Sequence, residues 1–196
     1  MNKNLFEGNI VRLRAMEESD WESFYEMDLD SETQRHSWMV PFPRSMAAAK
    51  EWAKKESLKS PEKDEFRFVI EHLADGTPAG TLNTHSLEPG NGSFGYGLGI
   101  HPAYRRKGCA SEAILLLLNY FFKELRYHKC TVSIFSFNHA SYELHKKLGF
   151  VHEGTLREME YSNGTYYDHI MFGMTSTEFD ALYGERFKIE LPFIRS

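Results

Sequence analysis

"HPAYRRKGCASEAILLLLNYF", His101 to Phe121, decides how this chain folds. Pro102 ends whatever strand precedes it, because proline has no amide hydrogen to give a ladder. Arg105, Arg106 and Lys107 follow, then Gly108 and the small Ala110. From about Gly108 to Leu125 the spacing predicts a long helix. Its "AILLLLNYFF" is apolar on nearly every face, so the helix is expected to be buried and rigid. A helix start carries unpaired N–H groups and the positive end of the dipole, and it binds anions, phosphate above all. The three cations strengthen that field. Gly108 lets a bulky phosphate approach the backbone, and Ala110 keeps the next turn clear. No Walker or Rossmann loop is present: no Gly-Lys-Ser/Thr follows, and "GYGLG" lies inside an expected strand. Taken alone, the run reads equally as a basic helix start on a solvated surface.

Upstream, a short strand is expected at Ile10, Val11 and Leu13. A helix through "EESDWESFYEMD" follows, with Ser19 or Asp20 as its cap. "VPFPRS" is a loop, and Ser45 opens a second helix that closes before Pro61. "FRFVIEHL", "GTLNTHSLE" and "SFGYGLGIH" read as strands, the last two joined by the turn "PGNG". Downstream, "KCTVSIFSF" is a strand and "NHASYELHKKLGF" a short helix. "FVHEGTLREMEY" and "YYDHIMFGM" form a final pair around "SNGT". Hairpins and crossover helices together predict an α/β or α+β fold with a mixed sheet. The 196 residues are expected to form one domain, with a core at about 10–174 and a short C-terminal extension.

Composition narrows the function classes. A net charge of −5 argues against broad nucleic-acid binding. Cys109 and Cys130 are too few for a disulfide framework and suit a reducing compartment. No apolar run approaches the ~18 residues of a membrane span or resembles a leader peptide. A soluble cytoplasmic protein without membrane or nucleic-acid partners is expected. Nine histidines lie without metal-ligand spacing, so no metal site is expected.

In "NHASYELHKKLGF", Asn138 is an N-cap candidate. Ser141 and His145 share a face four residues apart, and Gly149 stops the helix. Together the two motifs resemble the GNAT acetyltransferase superfamily. "RRKGCA", Arg105 to Ala110, fits its [QR]-x-x-G-x-[GA] pattern, and "N…L…KLGF" fits its second cofactor segment. The closing "LREMEYSNGTYYDHIMFGMTSTEF" is similar to the branch that acetylates protein N-termini, notably of ribosomal proteins.

That resemblance implies a mixed, mostly antiparallel sheet of about seven strands flanked by about four helices. It implies acetyl-CoA as cosubstrate and a primary amine, such as a protein N-terminus, as acceptor; a homodimer is a partner it suggests. The pantetheine arm is expected along Leu98, Gly99 and Ile100. The pyrophosphate is expected on the amides of Arg106, Lys107, Gly108, Cys109, Ala110 and Ser111, beside Arg105. Asn138 would meet the pantetheine, and Ser141 would reach the ligand from the same helix. Many members carry a Tyr seven residues after this Asn as general acid; here that position is His145. The catalytic candidates are therefore Ser141, as hydroxyl donor to the leaving thiolate, and His145. Either one, or neither, serves as that acid.

The chemistry implied is direct attack of a neutral amine on the thioester. An α-amine with pKa ~8 costs roughly 1.4 kcal/mol to deprotonate at pH 7, a lysine roughly 4.6. An α-amine acceptor therefore needs only a weak base, and no single carboxylate stands out among Glu88, Glu158 and Glu160. Trp38, Phe42 and His85 are candidate acceptor contacts. Rival readings are a small-amine acetyltransferase acting on a polyamine, amino acid or aminoglycoside, and a non-catalytic acyl-CoA sensor.

Overall fold

A computed structural model of the chain describes residues 4–37, 39–62 and 64–188. Strand β1 (Val11–Arg14) precedes three helices, α1 (Trp21–Leu29), α2 (Ser31–Ser37) and α3 (Met46–Ser57). Strands β2 (Arg67–His72), β3 (Thr77–Glu88) and β4 (Ser93–Ile100) follow, then α4 (Cys109–Lys123), β5 (Lys129–Phe135) and α5 (His139–Lys147). The chain closes with β6 (Val151–Ser162), β7 (Thr165–Thr175) and α6 (Ser176–Tyr183). The seven strands form one sheet in the order β1-β2-β3-β4-β5-β7-β6. Every neighbouring pair is antiparallel except β4 and β5. This is the mixed, mostly antiparallel seven-stranded sheet that the resemblance implies, with six α-helices among the described residues where about four are expected.

The local chemistry accounts for most element ends. Asn163 and Gly164 both adopt positive φ, 50° and 82°, which is the two-residue turn that matches strand twist. Ser45 accepts the Ala48 amide at 3.1 Å and caps α3. Gly149, at φ 85°, ends α5. There the Phe150 amide reaches the His145 carbonyl and the Gly149 amide the Lys146 carbonyl.

Two readings change. Asp20 does not cap α1; its carboxylate is taken by Arg14 at 2.7 and 2.8 Å and by the Glu17 amide. A buried ion pair outcompetes a cap for the same oxygens. Helix α2 lies in a stretch for which the sequence predicts no element. "SETQRHS" buries only Thr33, so it has no apolar stripe to read. It is held instead by Asp30, whose Oδ2 accepts the Thr33 hydroxyl at 2.5 Å and whose Oδ1 accepts the Glu32 amide. Those bonds, the Thr33 hydroxyl first, hold the Asp30 carboxyl below its ordinary range.

The sheet has helices on both faces. On one, α4 buries every residue from Ala113 to Leu118, and Phe121 stacks on Phe94 of β4 with ring centroids 4.3 Å apart. Tyr142 of α5 and Phe179 of α6 pack against the same core. On the other face Phe24, Ala53 and Val69 form a smaller cluster with Trp21 and Trp52. Burying six such residues of α4 stabilises this face by roughly 1.5–3 kcal/mol per large side chain. That fixes α4 and hence the loop in front of it. Among the described residues no helix is long and apolar enough to cross a membrane.

Candidate active site

The site begins where the sheet fails to close. β4 and β5 pair at only two positions, Ser93↔Lys129 and Phe94↔Cys130. Beyond them the parallel strands separate. The β5-facing edge of Leu98, Gly99 and Ile100 lies along that wedge, while the other edge pairs with Leu82, Thr81 and Gly80 of β3. Main-chain groups on such an open edge need partners from elsewhere.

The loop after β4 leads straight to the start of α4. Arg106 and Gly108 both take positive φ, 62° and 85°. A non-glycine residue in that region costs roughly 1–2 kcal/mol. Alternating backbone hands of this kind are what anion-binding nests are built from. No side chain caps α4, so the amides of Cys109, Ala110 and Ser111 have no partner within the helix. The Cys109 side chain is buried in the core and burial raises its thiol pKa, so its amide is what it offers. A Cβ on Gly108 would lie 2.8 Å from Ile10 Cδ1. Behind the nest Glu112, 4% exposed, accepts the Ile10 and Val11 amides and Arg186, which ties the loop's supports together.

The three cations are placed differently. Arg105 reaches back to Thr33 of α2, Nη2 to Oγ1 at 2.5 Å, and its Nε donates to the Ile100 carbonyl at 3.4 Å. Lys107 lies over the Tyr104 ring at 4.8 Å. Arg106 is exposed.

On the α4 face of the wedge sits α5. Asn138 spends both ends of its amide: Oδ1 accepts the Ser141 amide at 3.1 Å, and Nδ2 donates to the His36 carbonyl of α2 at 3.3 Å. Its side chain thus joins α5 to the strap formed by α2. His145 is 4% exposed. Its Nδ1 lies 2.8 Å from the Ser141 carbonyl, which can only accept, so Nδ1 carries the hydrogen. Nε2 then accepts from the Tyr96 hydroxyl at 2.8 Å. Burial pushes the imidazole pKa down and that of the Tyr96 hydroxyl up. His145 is therefore a neutral ring with both nitrogens engaged. Ser141 Oγ lies 3.3 Å from His145 Nδ1 and is only partly buried, so its hydroxyl can turn to the wedge.

On the opposite face, β4 presents Gly95, Gly97 and Gly99. His85 and Asn83 of β3 lean across the first two, and Met27 and Ser37 come over the third. His85 is exposed and bonds Ser86. Phe42 is 96% exposed and does not cap the core. Trp38 lies outside the described residues. Of the three carboxylates weighed as base, Glu160 approaches His169 at 3.5 Å, Glu158 gives its amide to Asp168, and Glu88 ends β3. Sequence reasoning passed over Ser133 and His169, which are 36 positions apart and have no spacing that links them. Thr33 was missed as well, although Asp30 before it is a cap signal. Among the described residues no group of three or more His, Cys, Asp or Glu could hold a metal ion. A separate cavity of about 530 Å³, lined by Phe6, Phe66, Phe68 and Tyr120, lies toward the other end of α4.

Comparison with known proteins places this geometry. The family model for the acetyltransferase (GNAT) domain matches residues 11–151. The SPbeta prophage-derived uncharacterized N-acetyltransferase YokL of Bacillus subtilis (strain 168) is 41% identical over 177 residues, 90% of this chain and 96% of that protein. The spermidine N(1)-acetyltransferase of Escherichia coli (strain K12) is 26% identical over 80% of this chain and 81% of its own. The "Putative ribosomal N-acetyltransferase YdaF" of Bacillus subtilis (strain 168) is 27% identical over 55% of this chain and 59% of its own. A crystal structure of a GCN5-related N-acetyltransferase from Brucella melitensis superposes with a TM-score of 0.76 at 25% identity, covering 94% of this chain and 84% of that one. The open wedge between β4 and β5 and the uncapped start of α4 are thus those of an N-acetyltransferase, and the chain belongs to the GNAT acetyltransferase family.

Proposed function

We propose that this N-acetyltransferase moves an acetyl group from acetyl-CoA to the N-terminal α-amine of a protein or peptide, such as a ribosomal protein, by direct attack. The supporting observation is the wedge with an anion nest at its mouth. The donor set fits a diphosphate: free amides, a glycine whose Cβ would crowd the turn, and an adjacent guanidinium. When bound, acetyl-CoA supplies a thioester carbonyl ready for attack by an amine.

The chain supplies the rest. Amides from Arg106 through Lys107, Gly108, Cys109 and Ala110 to Ser111, with Arg105, hold the diphosphate. The β5-facing edge of Leu98, Gly99 and Ile100, whose last carbonyl takes Arg105 Nε, receives the pantetheine and offers amides to the thioester oxygen. Asn138 holds α5 to α2 at the end of the wedge, within reach of the pantetheine. Ser141 gives its proton to the departing sulfur. His145 keeps Ser141 in place and is a positioning residue, because the one hydrogen of its neutral ring is spent on the Ser141 carbonyl and its lone pair on Tyr96. His85 and Phe42 border the acceptor. The family core at 10–174 and its short extension act as one domain.

An α-amine fits a groove in which, among the described residues, the candidate carboxylates Glu88, Glu158 and Glu160 are not buried, because it is the cheaper amine to deprotonate. The second reading is a small amine, favoured by the spermidine N(1)-acetyltransferase relative, which aligns over more of the chain than the ribosomal one. Product mass after incubation with acetyl-CoA and a panel of N-terminal peptides, spermidine and aminoglycosides tests both. Acetylated peptide α-amines support the first reading. Turnover confined to small amines overturns it. Acetyl-CoA binding with no product from any amine supports a sensor instead.

A further inference from the structure

The acceptor reaches the wedge as an ammonium and must shed a proton before its nitrogen can attack. We propose that His169 takes that proton, with Ser133 as the hydroxyl that relays it and Glu160 as the carboxylate that holds the ring. This rests on the transferase reading above.

The two sheet faces divide the work. Even-numbered residues of β4 and β5 (Phe94, Tyr96, Cys130, Val132) belong to the core under α4 and α5. Odd-numbered residues face the other way. Just past the last β4–β5 pair these are Gly95 and Gly97 on one arm and Thr131 and Ser133 on the other. Ser133 is exposed there, and its Oγ lies 2.9 Å from His169 Nδ1. His169 stands on β7 opposite Phe135 of β5 and rests against that ring, with centroids 5.2 Å apart. Its Nε2 is buried without a hydrogen-bond partner and faces Glu160 Oε2 of β6 at 3.5 Å.

The hydrogen assignment follows from those neighbours. Glu160 Oε2, which can only accept, favours the hydrogen on Nε2 without a formed hydrogen bond, and that tautomer leaves the Nδ1 lone pair for the Ser133 hydroxyl. His145 has the opposite state, its Nδ1 hydrogen spent on a carbonyl and its lone pair on Tyr96. One histidine is closed in the core; the other bonds through Nδ1 to the exposed Ser133. The charged groups facing His169 are few. Glu160 is its ion-pair partner from β6. Asp168, next on β7, uses Oδ1 on the Glu158 amide and its own amide on Ser136. From α2, Arg35 turns to Ser162 and His36 to the Phe137 ring.

The protons balance as follows. The ammonium passes one proton to Ser133 Oγ as the Ser133 hydrogen moves to His169 Nδ1, and Glu160 pairs with the resulting imidazolium. The freed lone pair forms the N–C bond, the C–S bond breaks, and its electrons leave on sulfur. The nitrogen's second proton replaces the one that Ser141 gives to that sulfur. His169 returns its proton to solvent, so one proton is released per turnover.

The test is kcat/KM for an alanyl peptide and for spermidine from about pH 6 to about pH 10, with calorimetric acetyl-CoA affinity alongside. His169→Gln should lose about 100-fold near pH 7. The deficit should narrow as the pH rises past the acceptor's own ionisation, where the amine arrives neutral. Ser133→Ala and Glu160→Gln should each lose about tenfold, and added imidazole should restore part of the rate to His169→Ala. Acetyl-CoA affinity should hold within about twofold in all of them. Wild-type turnover with an unimpaired His169→Gln overturns this inference alone. So does a deficit that is constant with pH or that tracks lost acetyl-CoA affinity, since both mark a merely structural ring. A wild-type chain that binds acetyl-CoA but acetylates no amine overturns the transferase reading and this one with it.

Discussion

The two helices that follow the two arms of the wedge begin in opposite ways. α4 starts from Gly108 in a left-handed conformation, with no side chain on its first amides and three cations before it. α5 starts from Asn138, whose side chain takes the Ser141 amide and also clasps α2. A capped helix start is completed by the fold. An uncapped one beside cations is left for an anion that comes from outside. The same sheet therefore offers one end to a ligand and closes the other, and α5 is free to present side chains rather than amides.

The sharpest way to test this contrast is Ser141→Ala. If α5 acts through that hydroxyl, turnover should fall about 100-fold while acetyl-CoA affinity is kept; an unchanged kcat would leave α5 with a structural role only. Next comes Gly108→Ala at the other start. The strained φ and the 2.8 Å approach to Ile10 should disturb the nest and weaken acetyl-CoA binding by about tenfold, or about 1.4 kcal/mol. Calorimetry reads that directly, and unaltered affinity would break the comparison. Asn138→Ala should act on stability, lowering it by about 1 kcal/mol and the melting temperature by about 2–4 °C. A large loss of affinity with no change in melting would mean that α5 also begins as a ligand site.

The smallest effect is in the acid dependence of stability. The His145 imidazole is held below its ordinary pKa by burial, so the folded chain binds fewer protons there than the unfolded chain does. That contribution is fully present above about pH 6.5 and is lost as the pH falls through the folded value. His145→Gln should flatten the decline in melting temperature below about pH 6.5. An identical slope in both chains would show that the ring is not what α5 keeps neutral.

How far these features can be read in advance depends on what forms them. The buried α4, the "SNGT" turn and the Gly149 stop come from local pattern and backbone preference, which adjacent residues carry with them. Asp20 fitted a local rule and lost to Arg14, a partner from β1. Helix α2 has no apolar stripe, since its bonds run to Asp30, Arg105 and Asn138 rather than into the core. Of the site, Arg105 to Ser111 is contiguous and could be read whole. His145 was visible, but its engagement was not, because Tyr96 comes from another strand. Ser133, Glu160 and His169 meet only through the pairing of β5, β6 and β7.

By itself the sequence determined the elements, the anion-binding helix start and the family's two motifs, since each rests on neighbouring residues and on bonds that close within a turn or two. Tertiary structure decided which strands part, which histidine is spent in the core and which meets an exposed hydroxyl, and what α2 straps together. Those outcomes depend on hydrogen-bond partners and burial supplied by distant segments, and a proton's place on a ring is set by whichever groups the fold brings within about 3 Å of its two nitrogens.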